Sequence, residues 1–404
     1  MKIKISIIFL IVGLFRSLNA TAQVNAPPID SVLNARITRI EKSLAKNLPG
    51  NSHLVIVGLT TFGYSSTKSV NTDINGNTMP SKIDGFGTAG YYEFSPLFLW
   101  RHGKKVLLEF EPSFNRDGIG VNWAAISYFL VPNVILRGGY FVLPFGMYSK
   151  KLAAGWINKV ATDPIGLPTA QDYGVGASGG MYLGSMKWNY DLAISNGFSL
   201  QSNGQLQNVN LGAKGNGQTF TGRFGILPLF DNSLEIGISG LTGGLANTNA
   251  SFISPKVNMY AFDLNYVKNI KVFQLNIKSQ YNSVSLNNQV YQDTTLAKAD
   301  YTFTNTSSSG YGQIALRPIK LKNNYLKNFE VAFRYGIYNT PKNSYWASNN
   351  IQTDYGINYW ISWRTVLRVT YEILESTSPE GVNLNIPYNR QKSSSVHLQF
   401  SIQL

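Results

Sequence analysis

The sequence predicts an all-β fold, a transmembrane antiparallel up-and-down β-barrel of about sixteen strands, with fourteen and eighteen as the neighbouring counts. Three observations point there. Hydrophobicity is spread through the 404 residues instead of gathering in blocks, with 14% charged residues, 13% aromatic residues and 37 glycines. No internal run approaches the roughly 18 apolar residues of a spanning helix. Many segments alternate apolar and polar residues with a period of two, which suits strands with one greasy face and one wet face.

The N-terminus supplies the compartment. Lys2 and Lys4 precede an apolar run from Ile5 to Phe15, and Ala20-Thr21-Ala22 before Gln23 has the small-x-small form of a cleavage site. Residues 1–22 are therefore expected to be a secretory signal peptide; the apolar run is short for a membrane anchor. The formal charge is 35 − 21 = +14, and loss of Lys2, Lys4 and Arg16 leaves +11, so the exported chain stays basic. There is no cysteine, which fits an exported protein that does without disulfides. A barrel exported in this way is expected in the bacterial outer membrane, with its lipids as partners.

Residues 23–50 read as a periplasmic amphipathic helix and linker. After Pro27-Pro28, the residues Ile29, Leu33, Ile37, Ile40, Leu44 and Leu48 recur at steps of three or four, with Arg36, Arg39, Glu41, Lys42 and Lys46 between them. Pro49-Gly50 ends the pattern. Such a stripe could form a short periplasmic coiled coil between neighbouring barrels or rest against the barrel rim.

Residues 51–404 are expected to form the barrel. Strand-like segments fall at roughly 53–64, 85–101, 104–114, 118–130, 133–143, 172–184, 186–197, 217–229, 232–247, 254–268, 270–285, 306–317, 327–340, 350–360, 363–376 and 392–404. In one of them Phe329, Val331, Phe333, Tyr335 and Ile337 oppose Glu330, Ala332, Arg334 and Gly336, so charge points towards water inside. The last segment alternates Val396, Leu398, Phe400, Ile402 and Leu404 with His397, Gln399, Ser401 and Gln403. It resembles the terminal-strand signal of bacterial outer-membrane barrels, which usually finishes on an aromatic residue where this one finishes on Leu404. Connections add a check, because such barrels have short periplasmic turns and longer outer loops. Those at Val131–Asn133, near Gly184-Ser185 and at Phe230–Asn232 are short, while 65–84, 144–171, 198–216, 286–305 and 377–391 are long.

The stretch 144–171 is the third outer loop in this count. The alternation of Asn133 to Leu143 stops at Pro144, and the loop beyond it sets Lys150, Lys151 and Lys159 against one acid, Asp163. A connection this long without regular structure is usually functional or disordered. It is expected to fold into the barrel, with Pro144, Phe145 and Gly146 setting the bend. Arg137, Lys150, Lys151 and Lys159 are the candidate cationic contacts at a constriction, because cationic side chains along a narrow lumen give anions favourable sites.

The run LRGGYFVLPFGMYSKKLAAGWINK resembles the segment of phosphate-selective porin O/P-type proteins in which an arginine-glycine strand runs into a Pro-Phe-Gly turn. The matching residues are Arg137, Gly138, Pro144, Phe145, Gly146 and Trp156-Ile157-Asn158. This resemblance implies a trimeric outer-membrane porin that passes small hydrophilic solutes passively, with a preference for anions such as phosphate, and without a cofactor. On the strands the inward-facing charges balance: Arg137, Arg223, Lys278, Arg317, Arg334, Arg364 and Arg368 stand against Glu109, Glu111, Asp191, Glu235, Asp263, Glu330 and Glu372. Anion preference would then depend on the loop and on arginines lying close together.

Other classes find less support. A barrel hydrolase needs a nucleophile, a base and an orienting group in contact; the histidines are His53, His102 and His397, of which His53 and His397 could meet across the closing seam. No metal cluster or phosphate-cradling glycine motif occurs, so no enzyme, metal or cofactor is expected. A hydrophobic-ligand transporter would need an N-terminal segment that enters the barrel. A surface-binding barrel could use the Asn/Thr/Ser-rich loops 65–84 and 286–305. Nucleic acid is not an expected partner, because the positive charge is dispersed.

Overall fold

The computed structural model describes residues 52–403, except 74, 87–91, 116, 153–156, 169–170, 209–216, 248–251, 288, 294–298, 324 and 379–389. The expected signal peptide (1–22) and amphipathic helix (23–50) lie outside the described residues.

The barrel strands are β1 (Ser52–Thr72), β2 (Thr78–Phe86), β3 (Tyr92–His102), β4 (Val106–Asn115), β5 (Gly118–Val131), β6 (Val134–Val142), β7 (Gln171–Leu183), β8 (Met186–Ser195) and β9 (Thr219–Leu227). They continue with β10 (Leu234–Gly244), β11 (Lys256–Ile270), β12 (Phe273–Leu286), β13 (Thr306–Arg317), β14 (Phe329–Asn339), β15 (Asn349–Trp360), β16 (Thr365–Thr377) and β17 (Arg390–Gln403). Together they form one sheet of 17 strands. The inner half of β1 pairs with β3 and its outer half with β2, so β2 and β3 share one position in the ring. That leaves 17 − 1 = 16 positions. The ring closes where β17 pairs antiparallel with β1, from Thr72↔Arg390 to Leu59↔Gln403. Closure satisfies the backbone donors and acceptors between strands, which a lipid environment demands.

Alternation fixes which face is which. On β14, Val331 is 55% exposed whereas Arg334 on the opposite face is 0%. The exposed face carries cross-strand aromatic pairs such as Phe94 with Phe114, Phe98 with Phe110, and Phe333 with Tyr355, at ring-centroid distances of 5.9, 6.3 and 5.4 Å. These rings and aliphatic chains give the outer face the apolar character that lipid contact requires, and the charged and amide side chains turn inwards.

Two differences from the sequence reading concern the first and the penultimate strand. Residues 65–84, expected to be a loop, instead extend β1 and form β2 as a hairpin, with Tyr64↔Phe86 through Thr72↔Thr78 in register. Beyond the bilayer neither face of a strand needs to be apolar, so the ladder continues while the period-two signal disappears. Arg364, expected to face inwards on a strand, lies in the short turn before β16, its guanidinium 4.4 Å from the Trp363 ring centroid.

Candidate functional site

The chain leaves β6 at Val142 and returns at Gln171, and between these points it runs along the inside of the barrel. Its first contacts are made by backbone. Gly146 N–H donates to Ser239 Oγ on β10 at 3.0 Å, and the N–H groups of Met147 and Tyr148 both donate to Gln280 Oε1 on β12 at 2.9 Å. Gly146 has φ +67°, and a Cβ there would stand 2.1 Å from Gln280 Nε2, so the approach requires glycine. Phe145 is buried in an apolar cluster with Phe141, Leu143, Ala193, Leu241 and Met259. Pro144, directly after the strand end, can supply no ladder donor.

A short π-helical turn comes next, Tyr148–Leu152. The Tyr148 hydroxyl donates to Asp163 Oδ1 at 2.5 Å and accepts from Asn158 Nδ2 at 3.1 Å, tying the two arms of the loop together. Burial, then the neighbouring Asp163 carboxylate, pushes this phenol well above its ordinary range, so it remains a donor. Lys150 forms an ion pair with Asp191 on β8. Lys278 on β12 donates to Ile157 O at 3.3 Å.

The second arm lies on β14–β16. Lys159 Nζ donates to Glu330 Oε2 at 3.1 Å and sits 4.8 Å from the Trp360 ring centroid; the other carboxylate oxygen accepts from Asn358 and Trp360. Arg334 meets Asp354 and the hydroxyl of Thr162, while Thr162 itself donates to Asp354 Oδ1 at 3.0 Å. Arg368 donates to the loop carbonyls of Asn158 (2.5 Å) and Val160 (3.3 Å) and to Asn358 and Gln399 on the wall. Gln352 accepts from Ile165 N–H and donates to Asp163 O, both at 3.0 Å. Here the loop backbone rests directly on the strand: a Cβ at Gly356 would stand 3.0 Å from Lys159 O. Buried charges persist only when each finds an opposite charge or several hydrogen bonds, and this arm provides both.

The wall formed by β3–β6 is organised differently. Glu93 accepts from Ser95 at 2.5 Å and from Asn122 at 3.1 Å. Glu109 accepts from Ser127 at 3.2 Å and lies 3.9 Å from Arg137 Nε. The Arg137 guanidinium stands 5.2 Å from the Trp123 ring centroid. Glu93 thus receives its hydrogen bonds from neutral groups.

The candidates named from sequence fall in several places. Lys159 is buried on Glu330, Lys150 pairs with Asp191 and Arg137 neighbours Glu109; the side chain of Lys151 lies outside the described residues. Arg334, Arg368 and Lys278 hold the loop, whereas Arg223 binds Glu235 and Asp263 at 3.1 and 2.6 Å away from it. Arg317 donates to Lys327 O and Asn328 at the turn end of β13. His53 and His397 are not brought together. His397 pairs across from Ser65, twelve residues along β1 from His53, or roughly 40 Å at about 3.3 Å per residue, and its Nε2 donates to Glu372 Oε2 at 3.2 Å. Sequence reasoning missed the neutral anchors Gln280, Gln352, Asn358, which donates to Lys159 O at 2.9 Å, and Thr370, which accepts from Ala161 N–H at 2.9 Å; an amide or hydroxyl can bind backbone donors or carbonyls. Their signal was an amide or hydroxyl at an inward position of an otherwise alternating strand.

No family model and no curated protein matches the chain. Solved structures do match its fold. An anion-selective porin from Comamonas acidovorans aligns over 87% of this chain and 100% of its own, with a TM-score of 0.54 and 14% identity. The outer membrane channel DcaP of Acinetobacter baumannii aligns over 88% and 100%, with a TM-score of 0.55 and 11% identity. OprB of Pseudomonas putida aligns over 86% and 94%, at 0.50 and 8%. The chain therefore has the sixteen-stranded fold of bacterial outer-membrane porins.

Proposed function

We propose that this porin-fold barrel sits in the bacterial outer membrane and lets small hydrophilic solutes diffuse passively between its inward loop and the β3–β6 wall. One observation carries the reading: a closed ring of sixteen strands, wide enough for an aqueous channel, holds inside itself a loop fastened by ion pairs and hydrogen bonds to β8, β10, β12 and β14–β16. A fixed obstruction in a water-lined cylinder narrows it without closing it. The reading involves no catalysis and no cofactor, and it extends to a homotrimer, as the resemblance of residues 137–158 to the phosphate-selective family implies.

Selectivity has two readings. Anion preference is supported by that resemblance, by the basic exported chain and by the anion-selective porin among the structural matches. On this reading Arg137 and Lys151 contact the anion, and Arg137 offers the planar fork that suits phosphate. The second reading, a weakly selective or cation-preferring pore, is favoured by the wall itself, where Glu93 meets neutral donors while Lys150 and Lys159 face Asp191 and Glu330.

Reversal potentials of the purified protein in planar bilayers, under gradients of chloride, phosphate and a bulky organic anion, test both. Stepwise conductance is expected; a membrane that stays sealed removes the diffusion reading. If the combined Lys150→Gln, Lys151→Gln, Lys159→Gln variant keeps the original reversal potential, the lysines have no part in selectivity. A shift towards anions in Glu93→Gln with Glu111→Gln supports the second reading. The mass of the detergent-solubilised particle tests the trimer.

A further inference from the structure

Above the tail of the inward loop, the outer mouth of the barrel holds a cavity of about 690 Å³, lined by Ile165–Pro168, by residues of the outer segments around 198–206, 305–307 and 340–350, and by the outer ends of β11, β12 and β16. Its size lies within the range of small-molecule sites, roughly 300–1,000 Å³. Its chemistry differs from the rest of the interior. Among the described residues no charged side chain lines it, although charges crowd the lumen a few strand positions below. Phe198, Tyr338, Trp346 and Leu374 give it apolar faces, and Gln205, Ser307, Thr340 and Asn350 give it amides and hydroxyls.

The aromatic faces are held in place. Trp346 Nε1 donates to Asn203 O at 3.1 Å, which fixes the indole. Gly166, at φ +65°, lies so close to the Tyr338 ring that a Cβ would stand 2.2 Å from it, so the loop tail backs that ring. Asn350 directs its NH₂ to Ser348 Oγ at 2.9 Å and Tyr338 O at 3.4 Å, which turns its carbonyl oxygen to other donors.

A charged solute entering this cavity would lose water and find no counter-charge among the described residues, and a wholly apolar one would desolvate the amides and hydroxyls without replacing their hydrogen bonds. We propose that the cavity binds an uncharged, polyhydroxylated solute with one apolar face, the chemistry of a sugar ring, against Trp346 and Tyr338. This rests on the diffusion reading and names a solute class for it: the pore collects neutral hydroxylated molecules at its outer mouth before they pass the loop.

Sucrose and glucuronate, applied to the full-length protein in planar bilayers carrying a potassium chloride current, test the site. Sucrose is expected to reduce the current saturably, Trp346→Ala to weaken that effect about tenfold, as loss of an aromatic contact would, and glucuronate to leave the current unsaturated. Asn350→Asp, which puts a carboxylate in the lining, is a second variant expected to weaken the sucrose effect should Trp346→Ala fail to fold. Equal, non-saturating effects of sucrose on the original protein and its variants overturn the proposal while the measured current upholds the diffusion reading. If no current flows, the diffusion reading fails, and calorimetric titration of the detergent-purified protein with sucrose decides the site alone: saturable heat lost in either variant supports it, and no heat overturns it.

Discussion

The two sides of the interior obey the same strand periodicity and end up with different chemistry. Along β12 and β14–β16 the inward residues are answered by the loop: Glu330 by Lys159, Asp354 and Arg334 by Thr162, and Arg368 by two carbonyls. Along β3–β6 they are answered by one another, and Glu93 by an amide and a hydroxyl donor. The difference teaches that an inward charge in such a barrel is ambiguous by itself. Its meaning, anchor or lining, depends on what crosses the lumen at its depth.

The largest effect should come from cutting the buried ion pair that ties the loop to β14. Glu330→Ala strands the Lys159 ammonium, 8% exposed at its side chain, and leaves Asn358 and Trp360 without an acceptor. Stability should fall by about 3–5 kcal/mol, the usual consequence of breaking a buried pair, read from unfolding of the detergent-solubilised protein, and conductance should rise as the arm lifts. Replacing both partners, Lys159→Met with Glu330→Leu, should recover most of the loss; if the double variant is as unstable as Glu330→Ala, the pair is not what holds the arm.

A smaller effect is expected where only contact is disturbed. Gly356→Ala places a methyl 3.0 Å from Lys159 O and from Val160 Cγ1, an overpacking that costs about 1–3 kcal/mol. Gly312→Ala, where a Cβ would meet nothing within 4 Å, serves as the control and should unfold as the original protein does. Similar losses from both would mean that strand propensity, and not the loop, sets the effect. The smallest change belongs outside the interior altogether. Lys82→Ala removes an exposed ion pair with Asp84 on the β1–β2 hairpin, and surface pairs contribute little; its thermal transition should be indistinguishable from that of the original protein.

A period of two encodes some of this arrangement and is blind to the rest. It reports faces, so the ring of sixteen and the inward direction of Arg334, Arg368 and Glu330 were legible in the sequence, and an interruption such as Pro144 marked where the chain leaves the wall. It does not report depth or neighbours. Thr162 meets Asp354 at a sequence separation of 192 residues, and Asn158 O meets Arg368 at 210, distances over which local pattern is silent. Hence the interruption at Pro144 was legible, while the carboxylate partners of Lys150 and Lys159 were not. The β1–β2 hairpin was missed for the opposite reason: outside lipid, Ser65 to Thr72 have no greasy side to betray them.

The order in which the chain is made gives the inward loop one more part to play. Its sequence belongs to the first half of the chain, but the side chains it rests on, Glu330, Gln352, Asp354 and Arg368, arrive only with the last few strands. The arm from Lys159 to Ile165 therefore has nowhere to settle until those strands stand in place, and such long-range contacts form slowly. The Gly146 end can already rest on Ser239 and Gln280, so the loop docks in two stages, and its second arm is among the last parts of the molecule to find its place.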